Sequence, residues 1–215
     1  FVRGDDMAHL PQLVAQADAV VHLAGENRPA DEAAFSQVNA GLTSALCEAI
    51  QQEYATTGRH VPLVLASSTQ AERDNPYGRS KLAAEAAVKS LAQATGDPCL
   101  TFRLPGVFGK WCRPNYNSVV ATFCHNLARD LPIQINDPDT SVKLVYVDDV
   151  VNALLSALEA PSPGYTQAAV EPEYTVTLGK LAAQIRAFAD CRSTLMSERV
   201  GTGLVRALYA TYVSY

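Results

Sequence analysis

The chain has 215 residues, of which 48% are hydrophobic and 18% are charged, enough apolar side chains for a core and too few charges for a disordered segment. Its formal net charge of −5 argues against nucleic acid as a partner, because duplex binding needs a basic surface. The apolar runs, such as residues 61–66, are far shorter than the roughly 20 residues that cross a bilayer, so no membrane segment is predicted.

Short apolar runs alternate with longer amphipathic stretches along the chain. The runs predict buried strands, and apolar residues spaced by three and four predict helices. Strands separated by helices indicate a parallel sheet covered on both faces, so the predicted fold class is α/β with a doubly wound parallel sheet. In chain order we predict a strand within residues 17–24, a helix over 30–53, a strand at 61–67, a helix over 77–94, a strand at 99–104, a loop at 105–114, a helix over 119–128, a strand at 142–147 and a helix over 148–158.

The alternation weakens in the last part of the chain. We therefore predict a nucleotide-binding core over residues 1–160 and a small substrate-binding lobe over residues 161–215 that does not fold independently. In parallel sheets ligands bind where the strands have their carboxyl ends, so the loops after the strands are where site residues are expected.

One such loop carries the residues that best indicate chemistry. The strand at 61–67 is followed by Ser68, then by Tyr77 and Lys81, and Asn75 and Pro76 mark the start of the helix that holds the last two. The ammonium of Lys81 lies one turn from Tyr77 and is expected to lower the pKa of the phenol, which favours the phenolate. Ser68 is expected to orient a carbonyl oxygen. This arrangement suits proton transfer to or from an oxygen while hydride arrives at or leaves its carbon.

These residues resemble those of the extended short-chain dehydrogenase/reductases, the NAD-dependent epimerase/dehydratase family with a Rossmann-type fold. The resemblance implies that Ser68, Tyr77 and Lys81 are catalytic, with Lys81 also holding the ribose hydroxyls of NADPH, or of NAD(H). It extends over the following segments: Phe1-Val2-Arg3-Gly4-Asp5 (the third strand), Val21-His22-Leu23-Ala24-Gly25 (the fourth strand), Val38-Asn39-Ala40-Gly41-Leu42-Thr43, Arg103-Leu104-Pro105-Gly106-Val107-Phe108-Gly109 and Tyr146-Val147-Asp148-Asp149-Val150. The cofactor-binding residues that it implies are Asp5, Leu23, Ala24, Gly25, Asn39, Ser67, Tyr77, Lys81, Pro105 and Val107.

Three segments are more specific, namely residues 22–29, 109–118 and 131–136. They resemble bifunctional capsular-polysaccharide enzymes of UDP-N-acetyl-L-fucosamine synthesis, whose reductase domain reduces a UDP-2-acetamido-2,6-dideoxyhexos-4-ulose and whose C-terminal cupin domain holds zinc. Aromatic rings that stack on a sugar or base, and an arginine that binds phosphate, fit that substrate. The substrate-binding residues predicted on this basis are Asn27, Arg28, Thr69, Lys110, Trp111, Arg113, Asn115 and Tyr116.

The sequence departs from the resemblance in two places. It contains no GxxGxxG phosphate loop, and no cupin follows residue 215, so we expect a fragment that lacks the first βαβ unit and binds cofactor weakly.

An NAD-dependent epimerase of the same fold is the alternative. A dehydratase would carry Asp-Glu after the threonine, where this chain has Gln70-Ala71, and a non-catalytic nucleotide-binding regulator would lack Tyr77 or Lys81.

The cysteines and histidines bear on the cellular location and on whether the protein binds a metal. Five cysteines are spread without a CxxC pair, which predicts free thiols and a cytoplasmic protein. His22 is interpreted as a core or cofactor-edge residue, and no metal site is predicted. The resemblance further implies a homodimer formed through the helices over 30–53 and 77–94.

Overall fold

The computed structural model describes residues 1–2, 4–29 and 31–215, so Arg3 and Ala30, the predicted helix start, lie outside the described residues. The chain divides into two units, one formed by Phe1–Leu104 and Asn152–Ala169 and the other by Pro105–Val151 and Val170–Tyr215. This division differs from the predicted boundary at residue 160. In particular, residues 105–151 group with the C-terminal part of the chain.

The first unit contains a four-stranded, fully parallel sheet in the order β1-β2-β3-β6. The strands predicted within 17–24, at 61–67 and at 99–104 are confirmed. The fourth strand, β6, was not predicted because only four half-exposed or exposed residues form it. The elements of this unit are α1 (Leu10–Gln16), β1 (Val20–His22), a π-helix (Phe35–Gly41) that continues into α2 (Leu42–Thr57), β2 (Leu63–Ser68), a 3-10 helix (Thr69–Glu72), α3 (Pro76–Thr95), β3 (Cys99–Leu104) and β6 (Tyr165–Ala168).

The opening segment differs from its prediction as a strand. Residues 1–2 and 4–5 are not in a strand; instead the Asp5 carboxylate accepts a hydrogen bond from the Val2 N–H at 2.7 Å, and the Asp5 N–H donates to the Val2 carbonyl at 3.1 Å. Gly4 has φ = 99°, a left-handed value that glycine tolerates. A third strand of a doubly wound sheet pairs with the second strand, and the described residues contain no such partner.

Helix α3 follows its predicted signals closely. Asn75 caps its N-terminus, with Oδ1 accepting from the Gly78 N–H at 2.8 Å, and Pro76 occupies the first turn. The helix ends at Gly96, whose φ of 73° is left-handed. Its buried face packs with α2 on the sheet, where Ile50, Leu63 and Val88 are fully buried. Each such side chain contributes about 1.5–3 kcal/mol of transfer free energy.

The second unit has its own three-stranded sheet in the order β4-β5-β7, with β4 parallel and β7 antiparallel to β5. The predicted strand at 142–147 therefore lies in this sheet rather than in that of the first unit. The core contains Phe108, Leu181, Phe188 and Leu208. The elements are β4 (Gly106–Phe108), α4 (Val119–Leu127), β5 (Ser141–Tyr146), α5 (Val147–Glu159, whose later part belongs to the first unit), β7 (Glu173–Thr177), α6 (Leu178–Thr194) and α7 (Gly203–Tyr212).

Two predictions from composition can be checked directly. All five cysteines are free thiols, and burial raises the pKa of Cys47, Cys99 and Cys124 to about 12, so these three are inert packing residues. Over the ranges that the structure describes, every helix is too short or too polar to cross a membrane.

Candidate active site

The three residues predicted to be catalytic meet at the carboxyl end of β2. This strand ends at Ser68, and α3 brings Tyr77 and Lys81 to the same place from its first two turns. The Ser68 side chain makes a hydrogen-bonding contact with the Tyr77 phenol, and the Lys81 Nζ lies 5.9 Å from the centre of the Tyr77 ring. Phe35, on the π-helix, covers that ring edge-on with 5.6 Å between the ring centres.

The protonation state of Tyr77 differs from the prediction. Burial raises the pKa of the phenol above its ordinary value, and the Ser68 hydrogen bond opposes this only in part. The predicted shift toward phenolate is therefore wrong, because desolvation disfavours the charged form more than the surroundings stabilise it. At neutral pH the phenol carries its proton, as a proton donor requires.

Lys81 is a buried lysine, with only 6% of its surface exposed. Its Nζ donates a hydrogen bond to the Ala66 carbonyl at 3.4 Å. Burial lowers the pKa of Lys81, whereas the carboxylate of Glu85 raises it. Gly25 lies directly beside this ammonium: a Cβ at this position would come within 2.9 Å of Nζ. A side chain at this position would therefore displace the lysine head group.

Asn39 and Ser67, both predicted cofactor residues, have side chains that point into the protein. Asn39 is buried; its Oδ1 accepts from the Glu26 N–H at 2.7 Å, and its Nδ2 donates to the Glu26 carbonyl and the Ser80 Oγ. The Ser67 hydroxyl donates to Glu85 Oε1 at 2.5 Å. These side chains therefore hold the loop after β1 and the end of β2, and their contact with a cofactor stays a prediction.

A groove of about 660 Å³ lies beside these loops. Four predicted cofactor residues line it, namely Asp5, Leu23, Ala24 and Gly25, together with Phe1, Val2, Gly4, Met7, Gln37, Val38, Gly41 and Leu42. The wall of the groove is mostly apolar, and Asp5 and Gly25 are among its lining residues. These features fit the flat base and the sugar of a nucleotide cofactor.

The other predicted substrate residues of the first unit are at the surface. Thr69 begins the 3-10 helix after Ser68 and is exposed. Asn27 and Arg28 are exposed in the loop after β1, where their N–H groups donate to Glu26 Oε1 at 3.2 and 3.4 Å.

The predicted substrate loop belongs to the second unit. Pro105 and Val107, the latter on β4, are half-buried before it. Within it the Arg113 guanidinium lies over the Tyr116 ring at 5.3 Å from the ring centre, and the Lys110 Nζ is 3.9 Å from an Asp148 oxygen.

The backbone of this loop is unusual. Trp111 and Asn115 both have left-handed φ values, 62° and 54°, although neither is glycine. Trp111 is 84% exposed, and the Asn115 N–H donates to the Thr122 hydroxyl at 3.0 Å. Backbone strain of this kind is concentrated at active sites, ligand clamps and switch regions, and the substrate-binding role of the segment stays a prediction.

An ion pair next to Ser68, Tyr77 and Lys81 was not predicted. Glu85, one turn beyond Lys81 on α3, is buried and accepts hydrogen bonds from Ser67 and from Arg103 on β3. Its helical spacing from Lys81 is the signal that was available in the sequence. Its partner Arg103 is 18 residues away on β3, and the packing of α3 against β3 brings the two side chains together.

A parallel α/β sheet with serine, tyrosine and lysine at its carboxyl edge, beside a nucleotide-sized groove, defines a short-chain dehydrogenase/reductase-like protein with a Rossmann-type fold. More particularly, the chain belongs to the NAD dependent epimerase/dehydratase family, whose model matches residues 2–171.

Individual relatives agree with this assignment. The chain is 47% identical over 215 residues to UDP-2-acetamido-2,6-beta-L-arabino-hexul-4-ose reductase of Pseudomonas aeruginosa, covering 100% of this chain and 57% of the relative. The crystal structure of the capsular polysaccharide assembling protein CapF from Staphylococcus aureus superposes with a TM-score of 0.85 at 35% identity, over 99% of this chain and 57% of that one. WbmF of Bordetella bronchiseptica, solved with NAD+, shares the fold at a TM-score of 0.80 and 18% identity, over 97% of this chain and 75% of that one. The chain thus spans little more than half of the first two relatives.

Proposed function

We propose that the protein reduces the C4 ketone of a UDP-linked 4-ketohexose, UDP-2-acetamido-2,6-dideoxyhexos-4-ulose, in the synthesis of capsular or other surface polysaccharide precursors. The observation that carries the proposal is the meeting of Ser68, Tyr77 and Lys81 at the carboxyl end of β2. The names of the Pseudomonas and Staphylococcus relatives support the substrate class and the setting.

The chain's own residues account for the proton transfer in this reaction. A reduced nicotinamide cofactor, when bound, supplies the hydride that reaches the sugar C4. The Ser68 hydroxyl donates a hydrogen bond to the ketone oxygen, and Tyr77 transfers its phenolic proton to that oxygen as negative charge develops there. Lys81 would bind the ribose hydroxyls of that cofactor, and its ammonium stabilises the phenolate that remains. Leu23, Ala24 and Gly25 provide the surface for the cofactor beside the Lys81 ammonium.

Reduction and the alternative, epimerisation, use Tyr77 in different protonation states at their first step. An epimerase starts by removing a proton from a sugar hydroxyl, which needs a phenolate, whereas a reductase starts by giving a proton to a ketone. Because burial raises the pKa of Tyr77, the resting site carries the proton that reduction uses. Gln70 and Ala71, in place of an Asp-Glu pair, give no support to dehydration.

Replacement of Tyr77 by phenylalanine tests this proposal. In the intact protein, Tyr77→Phe should lower kcat by about 10³-fold, because general acid catalysis of this kind contributes 10²- to 10⁴-fold. Net oxidation of NADPH by the UDP-4-ketohexose, with a C4 alcohol as product, is the measurement. Tyr54→Phe, which changes a ring packed on His60 away from the site, is the matched control. Retained turnover in Tyr77→Phe, or sugar conversion without net loss of NADPH, would contradict the proposal.

The proposal also covers the preferred cofactor, the oligomeric state and the cellular location. We infer NADPH as the preferred cofactor, with NADH as the alternative, and a homodimer formed through the helical segments 35–57 and 76–95. Free thiols at all five cysteines support a cytoplasmic location, where nucleotide sugars and reduced cofactors are available.

A further inference from the structure

A buried carboxylate lies one helical turn beyond Lys81. Glu85 has only 4% of its surface exposed, and both of its oxygens are hydrogen-bonded. Oε1 accepts from the Ser67 hydroxyl at 2.5 Å and from Arg103 Nε at 3.0 Å, and Oε2 accepts from Arg103 Nη2 at 2.7 Å. Arg103 also donates from Nη1 to Glu72 Oε1 at 3.0 Å.

The position of this ion pair is informative because burying charge is costly. A buried ion pair is often no more stabilising than apolar side chains of similar volume, so its presence alone does not explain the fold's stability. The contacts of this ion pair reach three segments at the carboxyl edge of the sheet, where Ser68 lies. Ser67 precedes Ser68 at the end of β2, Glu72 ends the 3-10 helix that begins at Thr69, and Arg103 is the next-to-last residue of β3.

The same carboxylate also acts on Lys81. The spacing of four residues on α3 places Glu85 on the helix face that carries Lys81. Two further titratable groups among the described residues, His22 on β1 and Tyr77 on α3, interact with Lys81. Both are neutral near pH 7, since burial lowers the pKa of His22 to about 4 and raises the pKa of Tyr77 above its ordinary value. Glu85 thus supplies the negative charge that offsets the burial of the Lys81 ammonium.

We propose that Glu85, clamped by Arg103 and Ser67, is a positioning residue that places a counter-charge one turn from Lys81 and holds the end of β2 for proton transfer. This inference rests on the proposed function. Arg103 acts on Glu85 rather than on Lys81, so the two members of the pair have separable effects. Loss of the Glu85 charge removes the counter-charge of Lys81, whereas loss of Arg103 leaves it in place.

The charge state of Lys81 can be measured without turnover. Intact protein labelled with ¹³C at the lysine Cε is titrated by NMR, with Lys81→Arg assigning the Lys81 signal and Lys89, on the same helix, as internal reference. Glu85→Gln should lower the titration midpoint of Lys81 by about one pH unit or more, the usual effect of losing an adjacent opposite charge. Arg103→Gln, the matched control, should leave the midpoint unchanged or raise it.

Turnover of the same variants gives a second readout. In Glu85→Gln the alkaline limb of the kcat profile should move down in pH together with the Lys81 midpoint, whereas in Arg103→Gln it should not. If a single variant does not fold, the double variant Glu85→Gln/Arg103→Gln keeps a neutral hydrogen-bonded pair, and its Lys81 midpoint should also fall.

The outcomes separate this inference from the proposed function. An unchanged Lys81 midpoint in Glu85→Gln or in the double variant, or equal shifts in Glu85→Gln and Arg103→Gln, would overturn the positioning role, while the proposed function would still depend on Tyr77→Phe. Conversely, retained turnover in Tyr77→Phe removes the proposed function even if the Lys81 midpoint moves as expected.

Discussion

His22 illustrates how burial fixes the protonation state of a single residue. It ends β1, is 6% exposed, and its Nε2 lies 2.9 Å from the Thr43 hydroxyl. Because that hydroxyl donates to the Asn39 carbonyl at 2.6 Å, it accepts from an Nε2–H of the imidazole. Burial, and secondarily the charge of Lys81, lowers the pKa of His22 to about 4. The histidine is therefore a neutral core residue, as its apolar sequence context indicates.

This pKa predicts a dependence of stability on pH. An unfolded histidine has a pKa of about 6.5, so unfolding takes up a proton between pH 6.5 and about 4. The contribution of His22 to stability is present above pH 6.5 and decreases as the pH falls toward 4. Between pH 7 and pH 5 the loss should be about 2 kcal/mol.

The measurement is urea unfolding at the two pH values. In His22→Asn the difference in unfolding free energy between pH 7 and pH 5 should shrink by that amount, whatever the variant's stability at pH 7. His9→Asn, at an exposed histidine, is the control and should leave the difference unchanged. An equal pH 7 to pH 5 difference in wild type and His22→Asn would rule out this histidine as the source.

At the scale of elements, the site depends on the turn that connects β2 to α3. Gly78 lies in the first turn of α3, where a Cβ would come within 2.2 Å of the Arg73 carbonyl oxygen and 2.4 Å of the Gln70 carbonyl oxygen. Both atoms belong to the backbone of the 3-10 helix and the residue after it. Any side chain at Gly78 therefore forces the 3-10 helix away from α3, and with it Thr69 beside Ser68.

Gly78→Ala should accordingly destabilise the protein although alanine is the better helix former. Overpacking against backbone costs about 1–3 kcal/mol or more, and we expect the upper part of this range because neither carbonyl is a flexible side-chain end. Thermal unfolding measures the effect, and kcat should fall with it because Ser68 is displaced. Gly201→Ala, where a Cβ meets no atom within 4 Å, is the control. Equal melting temperatures for the two variants would show that the turn adapts.

The helices and strands also show which structural features can be predicted from local sequence patterns. The strand at 99–104 and helix α3 were predicted within a residue because apolar periodicity, Asn75, Pro76 and a terminal glycine act locally. The strands β4, β6 and β7 were missed because they are short and mostly half-exposed, so their pairing is decided by distant residues. The π-helix at 35–41 carries the same apolar spacing as an α-helix. At the candidate site, the spacing of four residues predicted that Tyr77 and Lys81 lie near each other on one helix. The Glu85–Arg103 pair could not be predicted in this way because it depends on tertiary structure.

At the scale of the whole molecule, the predicted roles are distributed between two units. Ser68, Tyr77 and Lys81 lie in the first unit, and the loop with Trp111 and Arg113 lies in the second. The boundary predicted at residue 160 followed the weakening of the strand–helix alternation. That alternation continues through residues 105–158, however, and it does not reveal which sheet a strand joins. The division into units therefore comes from strand pairing rather than from composition.

The predicted substrate loop of the second unit can be tested through Arg113 and Trp111. The Arg113 guanidinium lies over the Tyr116 ring at 5.3 Å from the ring centre, and a guanidinium can bind phosphate oxygens through two parallel hydrogen bonds. Arg113→Met should weaken UDP binding by about tenfold or more, since a hydrogen bond to a charged group contributes about 1.5–3 kcal/mol. Calorimetric titration of the intact protein with UDP measures this, with Arg129→Met, in the same unit, as control. Because Trp111 is 84% exposed, UDP should also shift its fluorescence to the blue relative to Trp111→Phe protein. Equal UDP affinities in the two arginine variants, with no change in Trp111 emission, would place the diphosphate elsewhere.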